Sequence, residues 1–554
     1  MKLILKIWLV ASLGLFIGAC NEAADAELDG LDEVSNKPET SKVNTELGTV
    51  VRVTGGDIQG HAREEGLREY LGIPYAAAPI GDKRWQPPHP LASWQSVRQA
   101  TERGLPCVQP ASLSEFYDRA YVETSEDCLT LNVWTRAQQS SERLPVMVWV
   151  HGGALVMGSG RDYDGASLTS NGVVLVTLNY RLGPFGFFAH PELSIESPQG
   201  SSGNQGYRDQ IAALTWVQNN IEQFGGDPDN VTIFGESAGS WSMSVLQASP
   251  LAQGLFHKVI GQSGARFIPL SDLSKPRWGL PSGEAWGQQV ASMLTGTEAP
   301  DLVALRALPA QQIMDIYAGD PAVLNNFDRL TIVDGDVLPD EVNAIFAKGE
   351  QADVPVLIGS NADEATTFDP AMLNPGGDSP DYVSAHEQLV ARTLPTVGNE
   401  IFDLYPATAD AARDSFVRFN TDAMFTQPMR LWADYMEGVS SPAYLYWWNW
   451  RPMIDGSDQY GAFHAAEIPY VFNDLSMFDI EDSEQEREFS ETMMTLWTNF
   501  AKTGDPSAEG VVQWPAYQTA KPAVAILGPN IEVVQGIRSE EVEVITAAYA
   551  QMRE

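Results

Sequence analysis

Apolar residues in this chain fall into short unbroken runs separated by stretches of helical spacing. VMVWV at 146–150 and VVLVTL at 173–178 are continuous rather than alternating. That pattern predicts strands covered on both faces, as in a parallel sheet. The segment 209–224 (DQIAALTWVQNNIEQF) instead repeats Ile211, Leu214, Val217, Ile221 and Phe224 at steps of three or four. It predicts an amphipathic helix that GGDPDN brings to an end. VTIF at 231–234, VPVLIGS at 354–360 and AYLYWWNW at 443–450 read as further strands. Strand and helix in alternation predict an α/β fold, a mainly parallel central sheet flanked by helices. Segments 268–350 and 365–440 are helix-rich and broken by Pro and Gly, and are expected to be insertions that wall a pocket. No repeat or flexible linker divides the body, so 46–554 reads as one elaborated domain.

The amino terminus follows another rule. Lys2 and Lys6 precede an apolar stretch at 7–19 whose only polar residue is Ser12. It is short for a membrane span and fits the core of a signal peptide over 1–19. Ile17-Gly18-Ala19-Cys20 resembles a bacterial lipobox, so Cys20 is expected to carry a lipid; the plainer alternative is an ordinary signal peptide beside a chance cysteine. Residues 20–45 are polar and acidic and predict a disordered tether. The expected location is outside the cytoplasm, periplasmic or at the cell surface, with the lipid at Cys20 as the sole membrane contact. In such a compartment Cys107 and Cys128, the two remaining cysteines, most simply form a disulfide, which stabilises by about 3 kcal/mol for a loop of this length. A net charge of −39 repels phosphate backbones and excludes nucleic acid as a partner. No histidine pair stands at metal-ligand spacing near the cysteines.

The candidate chemistry begins at Gly235-Glu236-Ser237-Ala238-Gly239, a G-x-S-x-G pentapeptide. By itself it is weak, since roughly one chain in five of this length would contain one by chance. Here it follows a β-branched strand and precedes a plausible helix, WSMSVLQ. A strand-to-helix turn lifts the serine above the sheet edge, where a base can activate it. His151-Gly152-Gly153-Ala154, at the end of the 146–150 strand, is placed to offer backbone N–H groups to a developing oxyanion, together with Ala238. His151 is expected to shape that loop rather than move protons. In this architecture the order is serine, acid, histidine, which leaves His257, His386 and His464 as bases. His257 follows too closely behind the elbow helix, and His386 lies in an insertion helix. His464 follows a strongly apolar strand through a Gly-containing loop and is the expected base. The acid must also end a strand, and Asp363 and Glu364 both qualify after 354–360.

Taken together these segments resemble the type-B carboxylesterases, the family that includes the cholinesterases. The likeness runs from about residue 46 through EYLGIPYAAAPIGDKRW (69–85), EDCLTLNVW (126–134), WVHGGALVMGSG (149–160) and NYRLGPFGFF (179–188). It continues through the long block at 203–240, NADEAT (361–366), GAFHAAEIPYVF (461–472) and TGDP (503–506). The resemblance implies an α/β-hydrolase fold and hydrolysis of small-molecule carboxylic esters through a serine acyl-enzyme, with no metal or organic cofactor. It selects Glu364 as the acid, leaving Asp363 a loop residue, and names Gly153, Ala154 and Ala238 as oxyanion donors. Glu236, and Ser263 in GQSGA, would stand just outside the reacting groups, Ser263 helping to orient the Glu364–His464 pair. Cys107–Cys128 would be the family's first disulfide. Tyr207 departs from the usual aliphatic residue, and Ala154 replaces a glycine while keeping its N–H. Residues 108–127 hold Phe116, Tyr117 and Tyr121 but no Trp, which argues against a choline-specific site. A silent binding protein on this fold would lack the serine or its partners, and all three are present. Carbamates, amides or lipid esters would use the same machinery, though no apolar lid marks a lipase. The chain gives no reading of oligomeric state.

Overall fold

Eleven strands among the described residues form the central sheet of the computed structural model: β1 (His61–Ala62), β2 (Arg68–Pro74), β3 (Thr130–Thr135), β4 (Leu144–Val150), β5 (Val174–Leu178), β6 (Gly226–Glu236), β7 (Lys258–Gln262), β8 (Val356–Asn361), β9 (Ala443–Trp448), β10 (Ala523–Leu527) and β11 (Glu532–Gln535). Their order across the sheet is β11-β10-β9-β8-β7-β6-β4-β5-β3-β2-β1. β5 through β10 and β4 run parallel, and the outer strands are antiparallel. The structure describes residues 47–111, 121, 123–298, 300–319, 329–373 and 379–553. The expected leader, Cys20, the tether, and Phe116 and Tyr117 lie outside them.

The continuous apolar runs are explained by two cores, one on each face of the sheet. On β4, Val146, Val148 and Val150 enter one core while Met147 and Trp149 enter the other. β5 divides Val174, Val176 and Leu178 from Leu175 in the same way, and β8 divides Val356 and Ile358 from Leu357. All these side chains are fully buried, each contributing about 1.5–3 kcal/mol relative to exposure. The first core is closed by α1 (Gln205–Asn220) and α2 (Ala238–Ala248), through Leu214, Val217, Met243 and Leu246. The second is closed by α5 (Glu484–Thr503), through Met493, Trp497 and Phe500.

α1 begins four residues earlier than its apolar spacing predicts and stops at Asn220, where a tighter turn, Ile221–Phe224, carries the last two apolar positions. Gly225 closes that turn in the left-handed region (φ 77), which glycine adopts without strain. At the head of α1, Asp209 is fully buried against Arg181, which leaves β5. The guanidinium Nε and Nη2 donate to the two carboxylate oxygens at 2.7 Å each. Arg181 Nη1 also donates to the Gln86 carbonyl (2.8 Å), tying the amino-terminal segment to this corner. Tyr207, the unusual residue of this helix, is buried with its hydroxyl 2.6 Å from Thr331 Oγ1 and its ring edge-on to Phe187.

The insertions are helical, as expected. The second ends in a near-continuous rod, α3 (Ala412–Thr421), a π-helical turn (Asp422–Thr426) and α4 (Gln427–Met436). Pro428 has no N–H to give the preceding turn and its ring crowds that turn's carbonyl. The wider turn just before it relieves both conflicts. It sets Phe425 against His464, ring centroids 4.7 Å apart. Cys107 and Cys128 are joined in a disulfide.

Candidate active site

Ser237 sits between β6 and α2 with φ 56 and ψ −121. A non-glycine residue held there costs of order 1–3 kcal/mol, and such strain collects at functional sites. Neighbouring contacts impose it. The Ser237 N–H donates to the Gln262 carbonyl on β7 (2.8 Å), and the Ser237 carbonyl accepts the Trp241 N–H that opens α2 (2.9 Å). The flanking glycines are dictated by space. A Cβ on Gly235 would lie 2.6 Å from the Val150 carbonyl oxygen, and one on Gly239 would collide with the same atom.

The loop after β4 folds over this elbow. A Cβ on Gly152 would lie 2.6 Å from the Glu236 carbonyl oxygen and 3.1 Å from the Ser237 Cβ. Gly153, Ala154 and Leu155 all take positive φ (97, 54 and 64). The amides of Gly153, Ala154 and Ala238 donate no hydrogen bond among the described residues. His151 stacks on Tyr180, whose hydroxyl donates to the His151 carbonyl (2.9 Å), so this histidine packs within the loop.

His464 approaches from the loop after β9. Its Nδ1 lies 2.6 Å from Glu364 Oε2, and its Nε2 lies 3.2 Å from Oε1 of Glu236, the residue just before Ser237. Glu364 Oε1 accepts the Asn361 N–H (2.7 Å), so both its oxygens are engaged. Asp363 faces the other way and accepts the Ala462 N–H (2.8 Å), anchoring the His464 loop. Burial works against the imidazolium. The charges of Glu236 and Glu364, the hydrogen bond to Glu364, and Glu467 outweigh it and raise the His464 pKa to about 9.

Asn361, Gln262 and Glu467 were not among the expected site residues. Glu467 is fully buried and accepts from Gln262 Nε2 (3.0 Å) and Asn361 Nδ2 (2.7 Å). Burial, with the Glu364 charge beside it, pushes its carboxyl above the ordinary value. Trp497 of α5 completes this row by donating to Gln262 Oε1 (3.0 Å). Ser263, expected to help orient the Glu364–His464 pair, is buried at φ 59, and its hydroxyl makes no hydrogen bond among the described residues. The other two candidate bases lie elsewhere: His257 Nδ1 accepts the Val231 N–H, and His386 Nε2 lies 2.9 Å from the Tyr405 carbonyl oxygen. Among the described residues no group of three or more His, Cys, Asp or Glu could hold a metal ion, and no helix is long and apolar enough to cross a membrane.

A serine on a strained strand-to-helix turn at the edge of a mainly parallel sheet, with helices on both faces, defines an α/β-hydrolase. Comparison with known proteins narrows the class. The chain belongs to the carboxylesterase family, whose model matches residues 39–545. It is 35% identical to the para-nitrobenzyl esterase of Bacillus subtilis (strain 168) over 89% of this chain and 97% of that protein. It is 36% identical to the fumonisin B1 esterase of Sphingopyxis macrogoltabida over 82% of each. Among solved structures, a thermophilic pNB esterase superposes with a TM-score of 0.78 at 33% identity, covering 90% of this chain and all of that one. A Geobacillus stearothermophilus carboxylesterase superposes with a TM-score of 0.76 at 31% identity, covering 91% of this chain and all of that one. The protein is a serine carboxylesterase.

Proposed function

We propose that Ser237 is the nucleophile of this esterase, His464 its base and Glu364 the acid that orients the base. The observation that carries this reading is the 2.6 Å contact of His464 Nδ1 with Glu364, while Nε2 of the same ring points at the residue preceding Ser237. In the reaction Ser237 Oγ attacks the ester carbonyl carbon as its proton passes to His464 Nε2. The oxygen gains charge where the amides of Gly153, Ala154 and Ala238 converge. Collapse expels the alcohol, which takes the proton from His464, and leaves an acyl-Ser237. Water, deprotonated by His464, then attacks the acyl carbon; collapse breaks the acyl–Oγ bond, Ser237 Oγ takes the proton back from His464, and the acid is released. Glu364 and Glu236 flank the imidazolium and stabilise it in both transition states.

The same carboxylates set the pH dependence. His464 must be neutral to accept the serine proton, and its raised pKa keeps it charged further up the pH scale. For a neutral nitrophenyl ester, kcat/KM is therefore expected to rise with pH with an apparent pKa above 6.5. Glu236→Gln removes one charge and is expected to lower that pKa by about 1–3 pH units. An acid limb that stays in place in Glu236→Gln would count against His464 as the base.

Residues 1–19 read best as a lipoprotein leader and Cys20 as the lipidated residue, with 20–45 a tether and the enzyme outside the cytoplasm. The lipobox-like run before Cys20 supports this. Cys20→Ala is expected to move the protein from the membrane fraction to the soluble fraction of fractionated cells, and an unchanged distribution overturns the anchor.

A further inference from the structure

Gln109 stands two residues past Cys107 in the first cysteine loop and is buried. Its carboxamide pairs with both backbone groups of one residue in another loop, Gly158. The Gly158 N–H donates to Gln109 Oε1 (2.8 Å), and Gln109 Nε2 donates to the Gly158 carbonyl (3.0 Å). The same Nε2 donates to the Cys107 carbonyl (3.0 Å). All the polar capacity shown for this side chain is therefore spent between the disulfide and Gly158. Gly158, at φ 106, ends the loop that begins at His151, and a Cβ there would collide with the His151 ring. The next residues are held as firmly. Asn179 Oδ1 accepts from Ser159 Oγ and from the Gly160 N–H, both at 2.9 Å.

The loop between these anchors needs outside support. Two of the three successive positive-φ residues at 153–155 carry side chains, which disfavour that region. Within the loop only the Val156 and Met157 amides turn back, both to the Gly153 carbonyl (2.9 and 3.0 Å), and the Gly183 N–H holds the Leu155 carbonyl from outside (2.7 Å). A loop so constrained keeps its amides aimed only while both ends are fixed.

We propose that Gln109 is a positioning residue for the ester hydrolysis: by clamping the Gly158 peptide to the disulfide it holds the amides of Gly153 and Ala154 on the oxyanion. This rests on the reading that those amides receive the oxyanion. Its role is in the transition state, where donors placed in advance lower the barrier, and not in binding the ester.

The test uses the full chain with Gln109→Ala and with Gln109→Glu, which keeps the size but turns a carboxylate toward two carbonyl oxygens. Active sites are counted by phosphonate titration, so that misfolded protein does not enter kcat. The probe is an aryl trifluoromethyl ketone beside the matching methyl ketone. Ser237 Oγ adds to the ketone carbon, its proton goes to His464, and the carbonyl electron pair settles on the oxygen as an oxyanion. Both variants are expected to lose at least tenfold in kcat per titrated site with KM changed less than threefold. Inhibition by the trifluoromethyl ketone is expected to weaken in proportion. Unchanged kcat per site and unchanged inhibition in either variant overturn the role of Gln109 alone. If the trifluoromethyl ketone inhibits the wild type no better than the methyl ketone, the oxyanion reading of Gly153 and Ala154 falls, and the clamp with it.

Discussion

Ser237→Ala is expected to lower kcat toward a short-chain nitrophenyl ester by about 10⁵- to 10⁶-fold and to abolish labelling by a fluorophosphonate. On the proposed mechanism, what remains is the slow attack of water on an ester polarised by the amides of Gly153, Ala154 and Ala238. Alanine keeps the Cβ, so the positive φ of Ser237 and the packing of Gly152 against it are unchanged. Thermal stability should accordingly stay near that of the wild type, which separates lost chemistry from lost fold. A variant retaining more than a tenth of the wild-type rate would remove Ser237 from the mechanism.

The second large effect is on stability. Asp209→Ala strands the Arg181 guanidinium in the interior, with two of its hydrogen bonds lost and no water to replace them. Removing one partner of such a buried pair costs about 3–5 kcal/mol, read as a lower urea midpoint with an unchanged slope. The penalty belongs to the orphaned charge more than to the pair. Arg181→Met combined with Asp209→Leu should therefore be less destabilised than Asp209→Ala alone. A double variant that is worse than the single one would show that the pair itself holds β5 to α1.

How far the chain could be read without coordinates depended on where each residue's constraint lies. β4 and β5 are plain because burial on both faces leaves them almost no polar position, as Val146 through Val150 illustrate, whereas β7, with Lys258 and Gln262 at its ends, does not read as a strand. β2 and β3 mix polar and apolar residues because they lie toward the sheet's antiparallel end, and their pairing is a tertiary fact. α5 has legible spacing at Phe489, Met493, Trp497 and Phe500, but nothing local says that it covers the sheet's second face. The elbow is legible because its glycines answer to contacts within one turn and one neighbouring strand. Glu364 and Asp363 could not be separated from the residues alone. The distinction is made by rings and amides a hundred positions away, Ala462 taking one carboxylate and His464 the other. Gln262, Glu467 and Asn361 were invisible for the same reason, since 205 positions separate Gln262 from Glu467 and 106 separate Asn361 from it.

The wide turn at Asp422–Thr426 makes residue number itself a structural quantity. Each residue in a helix advances the direction of its side chain by about 100°, so one surplus residue rotates everything beyond it by that amount. Met429, Trp432, Ala433 and Met436 fill the first core, while Phe416 and Phe419, ahead of the wide turn, fill a separate cluster. A shortened, perfectly regular rod would restore the crowding at Pro428 and turn the second half away from the first core. Sequence change in this stretch is thus freer in kind than in count.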